Sequence, residues 1–288
     1  MLKGIGGDAF ILPGSPATLF VGSPSGFYVI DPGCPEGRRA EIEGQGKIEA
    51  VLITHSHSDH VLAARGLRSE SGIYAPLHEL PFIESPELRE ATTFGGYAPW
   101  NLIFHVEALP VSVNVPFRLP FRIDRIEALS LPGHTFGQVG YLTDSGILYA
   151  ADSIFGDKLL KRVVIPYFLD FEAALRTLEW LRDHIKDFEK VVPSHGPVVE
   201  GRRAMELVEE NLRALESIRE GVISALRARE LTVEELTFRM LAEGGAELTP
   251  SSVILGAVTI RSLLSRLYER GIVDVRAIER GIVWALRG

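Results

Sequence analysis

Cysteine is almost absent from this chain of 288 residues, in which Cys34 is the only one. A single cysteine excludes an internal disulfide bond, and it excludes a zinc site built from thiolates. Any bound metal ion must therefore be held by histidine and carboxylate side chains. We expect Cys34 to be a buried packing residue and not a catalytic nucleophile.

Amide side chains and methionine are also scarce, with three asparagines, two glutamines and three methionines. Depletion of thermolabile side chains is typical of hyperthermophile proteins and predicts a thermophilic source. No apolar run approaches the roughly 18 residues that a membrane-spanning helix needs. The first residues lack the charged and apolar blocks of a signal peptide, so we expect a cytoplasmic protein with no membrane contact.

Acidic residues outnumber basic ones and give a formal net charge of −8. This balance excludes non-specific binding of nucleic acid by the whole surface, although a local basic patch stays open. The length and a hydrophobic fraction of 46% are sufficient for one large domain or two unequal ones.

Short β-rich runs separated by glycine and proline predict strands at residues 9–12, 17–22, 26–30, 48–54 and 72–75. A short helix is predicted between Asp59 and Ser69. The segment 79–116, rich in proline and glycine, is either a structured insertion or a mobile flap. Further strands are predicted at 121–131, 138–142, 147–151 and 190–193, with an amphipathic helix at 171–188.

Helical patterns dominate after residue 200. One long helix is predicted over 200–228, a second begins near Thr232, a third begins at Thr249, and 272–275 with 281–286 form a hairpin. Three helices followed by a two-stranded wing are typical of a winged-helix module. We therefore expect a first domain over residues 1–200 and a helical, winged-helix-like domain over 201–288.

The strongest chemical signal is the run from His55 to His60, which directly follows a predicted strand. Its three imidazoles and one carboxylate, at His55, His57, Asp59 and His60, could not all be buried without leaving polar atoms unpaired. A metal ion would satisfy them. Three further candidates also follow predicted strands, namely His134, Asp152 and His195.

These residues resemble the motifs of the metallo-β-lactamase superfamily, in its glyoxalase II-like branch. The resemblance covers residues 1 to about 200 and rests on five ordered elements, which are residues 30–33, 54–60, 133–135, Asp152 and 194–196. It implies an α/β (α+β) fold, a four-layer αβ/βα sandwich with metal ions at one edge between two sheets.

The resemblance also implies a role for each matching residue. His55, His57 and His134 would hold a first metal ion, and Asp59, His60 and His195 would hold a second. Asp152 would bridge the two ions, while Asp31 would support the ligand loop without binding metal.

Such a centre predicts a hydrolase. Two neighbouring divalent ions lower the pKa of a shared water, giving a metal-bound hydroxide that attacks carbon or phosphorus. Asp59 and Asp152 are the residues expected to act in catalysis. Zinc is the favoured metal, with iron and manganese as alternatives, because imidazole and carboxylate ligands suit all three.

Substrate contacts are less specific in the sequence. Lys158, Lys161 and Arg162 could bind an anionic group in a loop beside the metals, with Tyr167 as an aromatic wall. The alternative is a solvated charged loop. Three aromatic residues of the 79–116 segment, Phe94, Tyr97 and Trp100, are candidates for a lid.

Three activities stay open at this point. The favoured one is hydrolysis of a small thioester, ester or lactone, and the others are single-strand endoribonuclease and mononuclear iron persulfide dioxygenase. The helical module departs from that of glyoxalase II, and its Arg261, Arg266 and Arg270 could contact phosphates. We expect a small, anionic substrate and a homo-oligomer, with nucleic acid as a less favoured partner. A metal site that serves only structure is the non-enzymatic alternative.

Overall fold

Two β-sheets form the centre of the computed structural model, which describes residues 1–33, 36–103 and 109–288, without the side chains of residues 36, 100 and 103. The first sheet follows chain order, with β1 (Lys3–Gly6), β2 (Ala9–Leu12), β3 (Thr18–Ser23), β4 (Gly26–Ile30), β5 (Ile48–Leu52), β6 (Ile73–Pro76) and β7 (Val115–Phe117). Its neighbours are antiparallel from β1 to β4 and parallel from β4 to β7.

The second sheet contains β8 (Phe121–Ile123), β9 (Ile126–Ser130), β10 (Val139–Thr143), β11 (Ile147–Ala151) and β12 (Lys190–Pro193). Its strand order is β12-β11-β10-β9-β8. Only β11 and β12 run parallel in this sheet. Because β5, β11 and β12 each have a parallel neighbour, their carboxyl ends lie at sheet edges where loops can meet.

Helices cover the outer faces of both sheets. They are α1 (Glu36–Glu43), α2 (Ser58–Val61), α3 (Leu80–Glu84), α4 (Pro86–Phe94), α5 (Trp100–Ile103), α6 (Asp157–Val163), α7 (Phe171–His184), α8 (Gly201–Ala228), α9 (Val233–Glu243) and α10 (Pro250–Glu269). The inner faces of the two sheets share one apolar core that includes the fully buried Tyr141 and Tyr149. The expected four-layer αβ/βα sandwich is confirmed.

Capping residues define the ends of the later helices. Asp170 accepts a hydrogen bond from the Ala173 N–H at the start of α7. Thr232 and Thr249 form capping boxes at the starts of α9 and α10. Such side chains satisfy the unpaired N–H groups of a first helical turn, which is why the sequence located these starts well.

The structure corrects two local predictions and finds secondary structure in the segment 79–116, as the first of its two alternatives expected. The strand predicted over 121–131 is two strands, because Asp124 has a φ of 48° and turns the chain between β8 and β9. The segment 79–116 contains α3, α4, α5 and β7 within its described part. The basic run that begins at Lys158 lies in helix α6 and not in a loop.

The last part of the chain comprises α8, α9, α10 and a hairpin of β13 (Val273–Ile278) and β14 (Gly281–Leu286). One apolar core runs without interruption from Leu131 and Phe171 to Ile260 and Val273. The boundary near residue 200 and the winged-helix assignment stay predictions. Within the described ranges, no helix has the length and apolar character needed to cross a bilayer.

Candidate metal centre

The predicted ligands lie on four segments, each of which follows a strand, and Asp59 and His60 are in the short helix α2 of the first segment. The loop carrying His55 follows β5, His134 follows β9, Asp152 follows β11, and His195 follows β12. Gly133 has a φ of 134°, and a Cβ there would lie 2.5 Å from the backbone of Ala174. Close packing of this turn against α7 thus sets where His134 projects.

The first ligand group consists of His55, His57, His134 and Asp152, whose ligand atoms all lie within 4.8 Å of one another. The Nδ1 atom of His57 lies 3.2 Å from His55 Nε2 and 2.8 Å from His134 Nε2. His134 Nε2 also lies 3.2 Å from a carboxylate oxygen of Asp152. Three ring nitrogens thus converge on one point.

The second ligand group consists of Asp59, His60 and His195. His195 Nε2 lies 3.3 Å from Asp59 Oδ2, and His60 Nε2 lies 3.9 Å from the same oxygen. Asp152 reaches this group too, with its Oδ1 atom 3.4 Å from His60 Nε2. Asp152 is therefore the residue that the two groups share.

The donor set fits divalent cations. His60 Nε2 is buried and has no hydrogen-bond partner among the described residues, an arrangement that costs free energy unless something binds there. In the first group, ring nitrogens of neighbouring imidazoles face each other, and at most one proton can lie between two of them. Their lone pairs converge on one point, as they do around a cation. Imidazole and carboxylate are the usual ligands of zinc, manganese and iron.

The far nitrogens of three of these imidazoles have partners of their own. His134 Nδ1 donates to the Tyr167 carbonyl at 2.8 Å, and His195 Nδ1 lies 2.8 Å from Ser15 Oγ. His55 Nδ1 lies 2.9 Å from Thr54 Oγ1. Such bonds fix ring orientation and leave the other nitrogen facing the centre.

Asp31 supports the second group from behind. Its Oδ2 atom accepts hydrogen bonds from His60 Nδ1 at 2.7 Å and from the Thr54 hydroxyl at 2.6 Å. Its Oδ1 atom accepts the Thr54 N–H at 2.9 Å. Asp31 also lies near His55 and His60 in a third grouping of ligand atoms, but both of its oxygens already have partners. The supporting role of Asp31 stays a prediction.

Burial lowers the pKa of His55, His57 and His134, because the charged imidazolium loses its hydration. Burial acts the same way on His60, but the carboxylates of Asp152 and Asp59 raise its pKa well above the usual value. The neutral rings of His55, His57 and His134 keep a lone pair available for a cation.

The pKa values of the two carboxylates are also lowered, but by neighbouring histidines and not by burial. Burial alone would raise the pKa of Asp152, yet His195 and His60 hold it well below its usual range. His60 and His195 likewise lower the pKa of Asp59 against the effect of burial. Both carboxylates are ionised at neutral pH, and their negative charge favours a cation.

Two buried charged residues that sequence reasoning missed lie behind the first group. Glu79 accepts the Ser56 N–H at 2.9 Å and the Gly137 N–H at 2.7 Å, and Arg89 donates to the Ser56 carbonyl. Burial raises the pKa of Glu79 and lowers that of Arg89. Glu79 could have been found, because it closely follows the end of strand β6.

The candidate substrate contacts are of two kinds, exposed cations on α6 and an aromatic ring beside the histidines. Lys158, Lys161 and Arg162 are exposed on α6, whose preceding residue Gly156 donates its N–H to the His195 carbonyl at 3.0 Å. The Tyr167 ring lies edge-on to His57 and His134, with centroid separations of 5.3 and 5.5 Å. Burial raises the pKa of Tyr167 to about 12, so it stays a neutral phenol.

The other described side chains that were named from the sequence are either exposed or paired within the chain. Phe94 and Tyr97 are exposed. The predictions for Cys34 and for the Trp100 side chain lie outside the described residues. Arg261, Arg266 and Arg270 form ion pairs with Glu234, Asp170 and Glu172 respectively.

Curated relatives match part of the chain. Hydroxyacylglutathione hydrolase from Methylobacillus flagellatus is 29% identical over 129 residues, which are 44% of this chain and 43% of that protein. A probable metallo-hydrolase from Streptococcus pyogenes serotype M6 is 23% identical over 188 residues, 62% of this chain and 78% of that protein. The chain thus spans under half the length of the hydroxyacylglutathione hydrolases it matches.

Solved structures match nearly the whole chain. A beta-lactamase domain protein from Burkholderia ambifaria has a TM-score of 0.72 at 17% identity, covering 99% of this chain and 93% of that one. A metallo-beta-lactamase family protein from Thermus thermophilus has a TM-score of 0.68 at 17% identity, covering 96% and 94%. The family model of the metallo-beta-lactamase superfamily matches residues 12–223, and the chain belongs to that superfamily.

Proposed function

We propose that this protein is a dinuclear metal-dependent hydrolase. The observation that carries the proposal is the convergence of seven side chains from four strand ends into two groups that share Asp152. His55, His57 and His134 would hold one ion, Asp59, His60 and His195 the other, and Asp152 both. Zinc is the metal we favour, with iron and manganese as alternatives that suit the same ligands.

The ions, when bound, would lower the pKa of a water and polarise the oxygen under attack. The residues themselves supply position and charge. Asp59 has a side chain that is 39% exposed, against 6% for Asp152. We therefore propose that the more exposed Asp59 carboxylate would accept the proton released by the attacking water. Asp152 would hold the metal ions.

The substrate we propose is a small thioester, ester or lactone with an anionic group. The names of the hydroxyacylglutathione hydrolases support a thioester, although the similarity covers under half of either chain. Phe82, Phe136 and Leu169 lie beside His57, together with the buried charged residues Glu79 and Arg89, around a cavity of about 10 Å³ that is no larger than a water molecule. The exposed cations of α6, at Lys158, Lys161 and Arg162, would attract the anionic end.

The two alternative activities have less support. An iron dioxygenase needs only one metal, whereas the second group of Asp59, His60 and His195 is equally assembled. An endoribonuclease role for the C-terminal module relied on arginines that form ion pairs within the chain. The cytoplasmic location, the thermophilic source and the homo-oligomeric state stay predictions.

Turnover measurements separate these activities. We would assay a panel of short thioesters, esters and lactones, a persulfide and a labelled single-stranded RNA with wild-type protein and Asp152→Ala. Hydrolysis of a thioester, ester or lactone that survives without oxygen and is lost in Asp152→Ala is the expected result. Equal behaviour of the two proteins on every substrate would contradict the proposed site.

A further inference from the structure

Thr259 of helix α10 forms hydrogen bonds on both sides of Tyr167, a residue that contacts the metal centre. Its buried hydroxyl donates to the Pro166 carbonyl at 2.7 Å and accepts the Phe168 N–H at 2.8 Å. These two backbone groups flank Tyr167. One hydroxyl therefore holds the chain on both sides of Tyr167.

Tyr167 transmits this restraint to a ligand. Its carbonyl accepts the Nδ1 proton of His134 at 2.8 Å, and His134 Nε2 is the atom that faces His57 and Asp152. A carbonyl acceptor at Nδ1 fixes the tautomer and the ring orientation of a metal-binding histidine. Movement of the Tyr167 carbonyl would therefore turn the His134 ring.

The segment that follows Tyr167 is hydrogen-bonded to the His134 loop on one side and to helix α10 on the other. On the side of the ligand loop, Leu169 N–H donates to the His134 carbonyl at 3.3 Å and Asp170 N–H donates to the Gly133 carbonyl at 3.0 Å. On the side of α10, the Phe171 N–H donates to the Ser262 hydroxyl at 2.9 Å.

Two ion pairs strengthen the contact between this segment and helix α10. Arg266 pairs with Asp170 at 2.8 Å, and Arg270 pairs with Glu172 at 2.8 Å. Each of these arginines was a sequence candidate for phosphate contact, and each instead joins α10 to the start of α7.

We propose that Thr259 is a positioning residue for the first metal ion and that helix α10 is part of the metal centre's support. The inference rests on the metal binding proposed above. It gives the C-terminal module a role in the site that needs no nucleic acid, since Thr259 acts on His134 through the Tyr167 carbonyl.

The substitution Thr259→Val tests the role, because valine has nearly the same shape and lacks the hydroxyl. Zinc would be withdrawn from the loaded protein with a chelator of known affinity. We expect one of two bound zinc ions to be held about tenfold more weakly, the lower end of the effect of losing support behind a metal ligand. Thr259→Ser keeps the hydroxyl and should restore wild-type affinity.

Thr237→Val is the matched control. Thr237 is a buried threonine in α9 whose hydroxyl bonds only the Val233 carbonyl of its own helix, at 2.8 Å. This variant should keep both zinc affinities. If Thr259→Val and Thr237→Val hold zinc as the wild type does, the role of Thr259 is contradicted. Wild-type protein that binds no metal would instead overturn the proposed function.

Hydrogen exchange on the wild type covers the case in which Thr259→Val does not fold. Coupling between two sites is reciprocal, so removal of zinc should speed exchange at the Phe168 and Asp170 amides. The amides of α9 should not change. Exchange at Phe168 that is the same with and without zinc would overturn the inference.

Discussion

Glu79 and Arg89, two buried residues of opposite charge, both bind the backbone of Ser56. The Glu79 carboxylate accepts the Ser56 N–H, and the Arg89 guanidinium donates to the Ser56 carbonyl. Ser56 separates His55 from His57. Glu79 also accepts the Gly137 N–H, so it joins this loop to the one that carries His134.

Loss of Glu79 should therefore loosen the first ligand group. Glu79→Ala leaves the buried Ser56 N–H and the partly buried Gly137 N–H unpaired and removes a negative charge near Arg89, which together should lower the free energy of unfolding by about 3 kcal/mol. Chemical denaturation measures this. Glu87→Ala, at an exposed position of α4, is the control and should stay within about 0.5 kcal/mol of wild type. Equal stability of both variants would mean that Glu79 has no such role.

Gly133 should tolerate no side chain. A Cβ there meets the Ala174 backbone at 2.5 Å, and its φ of 134° disfavours any other residue. Gly133→Ala should lower the thermal midpoint by several degrees and reduce zinc content, since His134 is adjacent. Gly96→Ala, with nothing within 4 Å of the added Cβ, should behave as wild type. A Gly133→Ala protein with an unchanged midpoint would show that the close contact with α7 is wrong.

Asp31→Asn should weaken metal binding without abolishing the fold. An asparagine has an NH2 group in place of one carboxylate oxygen. That group would face a donor of Thr54 or His60 from which Asp31 accepts a hydrogen bond. Loss of such support typically costs about 10–100-fold in metal affinity. Chelator competition provides the measurement, with the exposed Asp144→Asn as control. Wild-type affinity in Asp31→Asn would leave Asp31 without the supporting role.

Glu235 gives a pH-dependent contribution at the start of α9. Its hydrogen bond from the Thr232 N–H, with help from Arg229, lowers its pKa. A lowered folded pKa stabilises the protein above the unfolded pKa of the carboxyl, and that stability is lost as pH falls through the folded value. Glu235→Ala should therefore cost about 1 kcal/mol at pH 7 and less at acidic pH.

Denaturation of wild type and variant at matched pH values measures this difference. Glu235→Gln keeps an acceptor for the Thr232 N–H and cannot ionise, so its smaller deficit should also shrink as the wild-type carboxyl becomes protonated. A deficit of Glu235→Ala that is constant between neutral and acidic pH would contradict the sign of the pKa shift.

Strand ends and helix caps are the parts of this molecule that the sequence predicts best. Both depend on short-range signals, such as the apolar run before His55 and the threonines that begin α9 and α10. The candidate ligands could be named because they lie at or shortly after strand ends, whereas their division into two groups came from the resemblance to the metallo-β-lactamase superfamily.

Contacts between distant parts of the chain were not predictable. Nothing local to Arg89 or Thr259 indicates that one bonds Ser56 and the other brackets Tyr167, since those partners lie 33 and 91 or more residues away. The turn at Asp124 was missed for a local reason, as a single residue with positive φ interrupts an otherwise continuous β pattern. Helix α6 was taken for a loop because its basic residues suggested a binding role.

The number of metal ions per chain tests the central claim most directly. Elemental analysis of wild-type protein loaded with zinc and freed of excess by gel filtration should give two ions per chain, and Asp152→Ala should give fewer, because both ligand groups include or adjoin that carboxylate. A wild-type protein that retains no ion, or an Asp152→Ala protein that retains two, would contradict the dinuclear centre.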